Sequence, residues 1–158
     1  MTLLQGPLAD RGAWSAVGEC AIEKTMAVVG TKSAMLIMRE AYYGTTRFDD
    51  FARRVGITKA ATSARLSELV ELGLLRRQRY QEPGQRARDE YVLTDAGVDF
   101  MPVVWSLFEW GRHHLPGRNR LRLTHLGCGA EATVEIRCAE GHLVPADELG
   151  MRLAKKSG

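Results

Sequence analysis

The chain has 158 residues and a mass of 17.5 kDa, with 45% hydrophobic and 26% charged side chains; this size holds one ordinary domain with a small attachment and excludes two large ones. The balance supplies enough apolar surface for a core and excludes global disorder. The net charge is only +3, but residues 1–46 carry four basic and four acidic groups, residues 95–158 eight of each, and residues 47–94 ten basic against seven acidic.

Within 53–88 the contrast sharpens to nine basic groups against three acidic ones, which favours a polyanionic partner for that segment. No apolar run approaches about 18 residues, the length a membrane span requires. The opening MTLLQGPLAD lacks the basic region and long apolar stretch of a secretory signal. A soluble cytoplasmic protein with no membrane partner is expected. Three cysteines, Cys20, Cys128 and Cys138, are odd in number and sparse, so a disulfide scaffold is excluded.

Residues 1–18 show no sustained period and contain Gly6, Pro7, Gly12 and Gly18, so they read as an arm. Helical periodicity predicts a helix over Cys20–Val29 with Ala21, Ile22, Met26 and Val29 on one side. A second helix is predicted over Ser33–Tyr43, with Leu36 and Ile37 inward, Arg39 and Glu40 outward, and Gly44 as its end. Phe48, Phe51, Ala52 and Val55 mark a short helix stopped at Gly56. Thr58 is the expected N-cap of the next run, whose Ala61, Leu66, Leu69 and Val70 face inward before a left-handed cap at Gly73.

Leu74–Arg79 and Asp89–Leu93 read as strands joined by a loop with a turn at Pro83–Gly84 and with Arg86 and Arg88 at its exit. A long helix then runs from Thr94 or Asp95 to about Leu115, and Pro102 inside it predicts a start near residue 101 or a bend there. After Pro116–Gly117, residues 118–126 alternate as a strand does, and 132–138 are expected to pair with them. The expected class is α+β: an arm over 1–18, a winged helix-turn-helix over 19–115 with its long C-terminal-side helix, and a small β-rich extension over 116–158.

Helix, short turn, helix and an arginine-bearing hairpin form the order of a winged helix-turn-helix. Its second helix must bring backbone close to base edges in a groove about 12 Å wide, which calls for small residues at its exposed start. Lys59, Ala60, Thr62, Ser63 and Ala64 meet that requirement, and Lys59 and Ser63 carry donors. Arg86 and Arg88 are placed on the phosphate backbone or in the minor groove. A solvated charged face gives the same counts, so order along the chain carries the argument more than any one residue.

These residues also resemble a family, the HxlR-type regulators, relatives of the MarR group. The landmarks are Cys20-Ala-Ile-Glu-Lys, Gly30-Thr-Lys, Leu36-Ile37, Gly44 with Arg47-Phe48, Gly56-Ile57, Arg65-Leu66 with Leu69, Gly73-Leu74 with Arg76, Tyr91-Val-Leu-Thr94 with Gly97, and Trp110-Gly111. The resemblance implies a homodimeric, DNA-binding transcriptional regulator, often a repressor responsive to a small molecule or an oxidant. Arg47 and Arg65, both among these landmarks, complete the expected DNA-binding residues. Two departures stand out: Ser33 replaces a usual tryptophan, and Thr62 replaces a bulky apolar residue of the recognition helix.

Two copies are expected to engage an inverted-repeat operator in double-stranded DNA, with half-site centres about 34–36 Å apart. Apolar residues Phe100, Val104, Leu107, Phe108 and Trp110, with Cys20 and Ile22, are the expected dimer seam. Cys20 also stands where the resemblance places a redox-sensing thiol; a helix-start dipole favours its thiolate while Glu19 and Glu23 oppose it, and an inert thiol at the seam is the alternative. His125, Cys128, Cys138 and His142 are the sole metal constellation, a tetrahedral zinc set of irregular spacing, so no obligatory metal or cofactor is expected. No nucleophile elbow, zincin or phosphate-loop motif is present, which leaves no enzyme reading. The alternative function is a winged helix turned into a protein-interaction module without operator binding.

Overall fold

A computed structural model of the chain describes residues 3–81, 84, 86–117 and 119–154. The elements run β1 (Leu3–Leu4), α1 (Ala21–Val29), α2 (Lys32–Tyr42), α3 (Phe48–Val55), α4 (Lys59–Glu71), β2 (Leu75–Tyr80), β3 (Arg88–Leu93), α5 (Asp95–Asp99), α6 (Met101–His114) and β4 (Gly150–Met151). They fall into two units, one of residues 21–119 and one that joins the N-terminal 20 residues to those from 120 onward. The larger unit is a winged helix-turn-helix.

Local chemistry accounts for most helix ends in that unit. Thr31 accepts the Ala34 amide at 3.2 Å to open α2, with the Ser33 hydroxyl 3.4 Å from the capping oxygen. Gly56 closes α3 at φ +72 and sends its N–H to the Ala52 carbonyl. At the end of α4, the Gly73 N–H reaches Val70 O and the Leu74 N–H reaches Leu69 O, the paired bonds of a glycine-terminated helix. The break between α5 and α6 falls at Phe100, with Pro102 in the first turn of α6, where its missing N–H costs nothing.

α2 buries Ala34, Ile37, Met38 and Ala41, α3 buries Phe51 and Ala52, and α4 buries Leu66 and Leu69. With Val29, Leu75, Tyr91 and Val104 these make one core, against which Phe48, Val55, Leu74, Leu93 and Phe100 pack. Glu40 departs from its expected outward position. It is buried, and its carboxylate accepts Arg39 Nη2 at 2.6 Å and the Thr45 hydroxyl at 3.4 Å. The pair keeps a buried charge compensated where α2 meets the following turn.

β2 and β3 pair antiparallel from Leu75↔Leu93 to Tyr80↔Arg88. The segment before α3 adds to the outer edge of β3: Arg47 bridges Glu90, and the Tyr91 N–H reaches Thr46 O at 2.8 Å. The wing is thereby tied to the start of the first helix of the pair. Pro83 lies outside the described residues, while Gly84 takes φ +75 in the turn expected there.

In the smaller unit β1 pairs parallel with β4. Leu8 is buried and its carbonyl accepts Trp14 Nε1 at 2.9 Å. The expected pairing of 118–126 with 132–138 is reduced to its inner end, the Ala132 N–H to Leu123 O bond at 2.8 Å beside a bridge at Thr124↔Glu131, and Arg118 lies outside the described residues. Residues 136–138 instead fold back on 142–144, with Cys138 N–H to His142 O at 3.0 Å and Arg137 bridging Leu143. Gly129 (φ +73) and Gly141 (φ +82) close the two turns, conformations that favour glycine, so each segment satisfies its backbone locally before reaching the other.

Candidate nucleic-acid interface

The N-terminus of α4 is built by Thr58, whose side chain accepts the Ala61 amide at 3.2 Å. Lys59, Ala60, Ser63 and Ala64 that follow are all exposed. Small residues here leave the helix backbone accessible and the uncapped amides directed outward.

Thr62 is a correction to the expected set. It is fully buried at 0% exposure, and its hydroxyl donates to the Thr58 carbonyl at 2.9 Å. Spacing explains this: Thr62, Leu66 and Leu69 lie four and three residues apart on one helix stripe, so Thr62 belongs to the core. The departure from a bulky apolar residue is therefore accommodated by a polar atom that bonds its own helix. Arg65, half-buried, pairs with Glu68 at 2.7 Å along the same helix.

Lys59 does not project alone. Its ammonium lies 2.7 Å from Asp49 Oδ1 on α3, with both side chains largely exposed. The hydrogen bond from Lys59, then its charge, holds the Asp49 carboxyl below its ordinary range against an opposing effect of desolvation, and Arg88 adds a smaller pull. The local charge contrast read from the sequence is thus partly compensated at the recognition helix itself.

On the wing, Arg86 and Arg88 are exposed. Arg47 lies over the Tyr80 ring, its guanidinium carbon 3.1 Å from the ring centroid. Together with Phe48, Asp49, Asp50, Arg88, Asp89 and Tyr91 these residues line an open cleft of about 490 Å³ between the start of α3 and the loop end of the hairpin. Arg77 leans the other way, its guanidinium donating to Ser67 Oγ of α4 at 3.3 Å. Two cations and three carboxylates thus share the cleft, and Asp49 links it to Lys59 of α4. Sequence reasoning missed Asp49 and Tyr80; the acidic first turn of α3 was the available signal for Asp49, and nothing local marks Tyr80.

Among the expected seam residues, Leu107, Trp110 and Ile22 are 54%, 57% and 72% exposed. Phe100 and Phe108 are half-buried, Phe108 meeting Trp105 edge to face at 6.1 Å. Val104 is a further correction. It is 7% exposed and part of the core of its own chain, because it lies on the α6 stripe facing α2. Trp105, which the expected apolar band omitted, meets both Tyr42 and Tyr43 in tilted ring contacts with centroids 5.9 Å apart. Met26, at 51% exposed, extends the apolar surface of α1.

Cys20 is half-buried and immediately precedes α1, and Cys128 and Cys138 are exposed; all three are free thiols. His125 Nδ1 lies 3.1 Å from Cys128 Sγ. Among the described residues no group of three or more histidine, cysteine or acidic side chains is placed to hold a metal ion, and no helix is long and apolar enough to cross a membrane.

The comparisons with known proteins agree with this architecture. An uncharacterized HTH-type transcriptional regulator of Mycobacterium tuberculosis is 37% identical over 119 residues, 74% of each chain. The crystal structure of PA1607 superposes with a TM-score of 0.74 at 28% identity, covering 89% of this chain and 98% of PA1607. The redox regulator HypR in its reduced form matches with a TM-score of 0.53 at 30% identity, covering 59% of this chain and 91% of HypR. Residues 28–119 match the model of the HxlR-like helix-turn-helix family, and the chain belongs to that family of DNA-binding transcriptional regulators.

Proposed function

We propose that the chain acts as a homodimeric repressor that binds an inverted-repeat operator in double-stranded DNA. The observation that carries this reading is the exposed, Thr58-capped start of α4, small-residued at Ala60, Ser63 and Ala64, standing beside the cations Arg47, Lys59 and Arg88. In it, Lys59, Ala60 and Ser63 meet base edges in the major groove, Arg65 on the same helix and Arg47 before α3 add contacts beside them, and Arg86 and Arg88 meet the backbone. Repression follows from occlusion of the DNA that the dimer covers.

The dimer half of the proposal is supported by the apolar surface left open on α6 at Leu107 and Trp110 and on α1 at Ile22 and Met26. A single winged helix reads too few base pairs for specificity, and two copies related by a two-fold axis double the reading. Release by an oxidant or a small molecule completes the proposal, with Cys20 as the responsive thiol; the likeness to the redox regulator HypR supports this part. The extension over 116–158 is proposed as an accessory of the winged helix without an obligatory metal.

Selection of bound fragments from a pool of random duplexes tests the reading directly. A recovered palindromic motif is the expected result. Fragments without shared sequence overturn operator binding, and a single unrepeated half-site overturns the dimeric mode. Oxidation of wild type and of Cys20→Ser before titration of the recovered operator then tests the thiol, since a responsive Cys20 changes operator affinity in wild type and not in the variant, whatever happens at the exposed Cys128 and Cys138.

A further inference from the structure

Three carboxylates, Asp49, Asp50 and Asp89, line a cleft in a surface meant for a polyanion, and Asp49 is the one that pairs with a lysine of α4. It is 69% exposed on the first turn of α3, and its carboxylate sits between Lys59 of α4 and the wing, lining the same cleft as Arg47 and Arg88. The Lys59 hydrogen bond and charge hold it ionised well below neutral pH, so it opposes phosphate under any ordinary condition. Stabilisation of the fold does not account for it, because exposed ion pairs contribute little. Its effect must be sought in what it does to Lys59.

A lysine ammonium has three N–H donors on a flexible four-carbon stem. With one donor on Asp49 Oδ1 at 2.7 Å, two remain, and the ammonium is kept at the start of the recognition helix. A phosphate that approaches Lys59 Nζ also approaches the carboxylate and meets like charge at a few ångströms. A guanine O6 or N7 is a neutral acceptor and meets a much smaller penalty there. The pair therefore separates two ligands that a free lysine treats alike.

We propose that Asp49 is a specificity-determining residue, which tethers the Lys59 ammonium over the base edges and keeps it off the phosphate backbone. The proposal rests on the reading that α4 enters the major groove of an operator. Removing the carboxylate frees Lys59 to neutralise a phosphate anywhere along a duplex. Non-specific binding then gains more than operator binding does.

The experiment uses the full chain as wild type, Asp49→Asn, Lys59→Gln and the double variant. Each is titrated with the selected operator duplex and with a random duplex of equal length at several salt concentrations. Asp49→Asn is expected to tighten random-duplex binding several-fold, to steepen its salt dependence by about one per protomer, and to lower the ratio of operator to random affinity by about 3- to 10-fold. In the Lys59→Gln background the same change is expected to leave that ratio unaltered. Thermal unfolding of Asp49→Asn matching wild type separates the effect from misfolding, as its exposure predicts. If wild type prefers its operator but Asp49→Asn changes both duplexes equally or weakens both, the proposal fails while operator binding stands. A ratio that still falls without Lys59 overturns the route through that residue. A wild type that shows no preference for one duplex overturns operator reading and proposal together.

Discussion

The Tyr42 hydroxyl donates a 2.6 Å hydrogen bond to the carbonyl of Gly97, joining the last residue of α2 to the middle of α5 across 55 positions of sequence. Burial pushes this phenol up to about 12 from its ordinary value of 10.0. The folded state therefore holds the proton more tightly than the unfolded chain. The corresponding stabilisation is fully present below pH 10.0 and is lost as pH rises towards about 12. Of the four tyrosines, Tyr42 is expected to ionise late in an alkaline absorbance titration. Tyr42→Phe should cost about 1 kcal/mol at neutral pH, and denaturant melts should show a smaller alkaline loss of stability in the variant than in wild type.

Gly97 is constrained from the opposite side. A Cβ there would lie 2.1 Å from Leu74 O and 3.2 Å from Leu93 Cδ2, so backbone would have to move. Gly97→Ala is expected to lower stability by about 2 to 3 kcal/mol in chemical denaturation. Gly111 in α6 is the control, since its added Cβ would meet only Leu115 Cδ1 at 3.7 Å. There the same substitution should stabilise by up to about 1 kcal/mol through helix propensity.

Thr62 and Ala60, two positions apart on α4, should respond in opposite ways. Thr62→Val keeps the shape of a buried residue whose hydroxyl bonds only the Thr58 carbonyl, so operator affinity should stay within about twofold and stability within about 1 kcal/mol. Ala60→Trp, on exposed surface, should leave the melting temperature unchanged and abolish operator binding by filling the space that bases require. Paired calorimetry and titration check both; an Ala60→Trp protein with native operator affinity removes this face of α4 from the groove.

The wing is tested through salt. If Arg86 and Arg88 each contact one phosphate, replacing both by glutamine should weaken binding to all duplexes and lower the salt slope by up to about 2 per protomer. Unchanged slopes would take the hairpin tip off the backbone.

Leu107, 54% exposed on α6, tests assembly. Leu107→Glu would bury an unpaired carboxylate at the proposed seam, so dimer and operator binding should both be lost although Leu107 touches no DNA. Sedimentation of both proteins at micromolar concentration, with titration of the complete repeat and of one half-site, decides the outcome. A wild-type monomer with equal affinity for half and whole sites would remove the dimer, and a dimeric Leu107→Glu protein with normal binding would move the seam elsewhere.

Much of the winged helix is legible in the amino-acid sequence because its signals act over four residues or fewer. Thr58 before a run of good helix formers caps α4, Gly56 and Gly73 end helices through positive φ, and Pro102 marks where α6 begins. The hairpin register follows from its own cross-strand pairs, Leu75↔Leu93 to Tyr80↔Arg88. Only tertiary packing decided which way the ambiguous side chains turned. Glu40 is buried because Arg39 and Thr45 satisfy it where α2 meets the next turn, and Thr62 is buried because α4 presents its Leu66–Leu69 stripe to the core. Asp49 meets Lys59, and Arg47 covers Tyr80, because a tight turn and a wing bring distant chain segments within a few ångströms. The parallel pairing of β1 with β4 spans nearly the whole chain, and two-residue strands carry no period to announce it. Short-range geometry is written in neighbouring residues, whereas the sign and reach of a charge at the recognition helix depend on what the fold sets beside it.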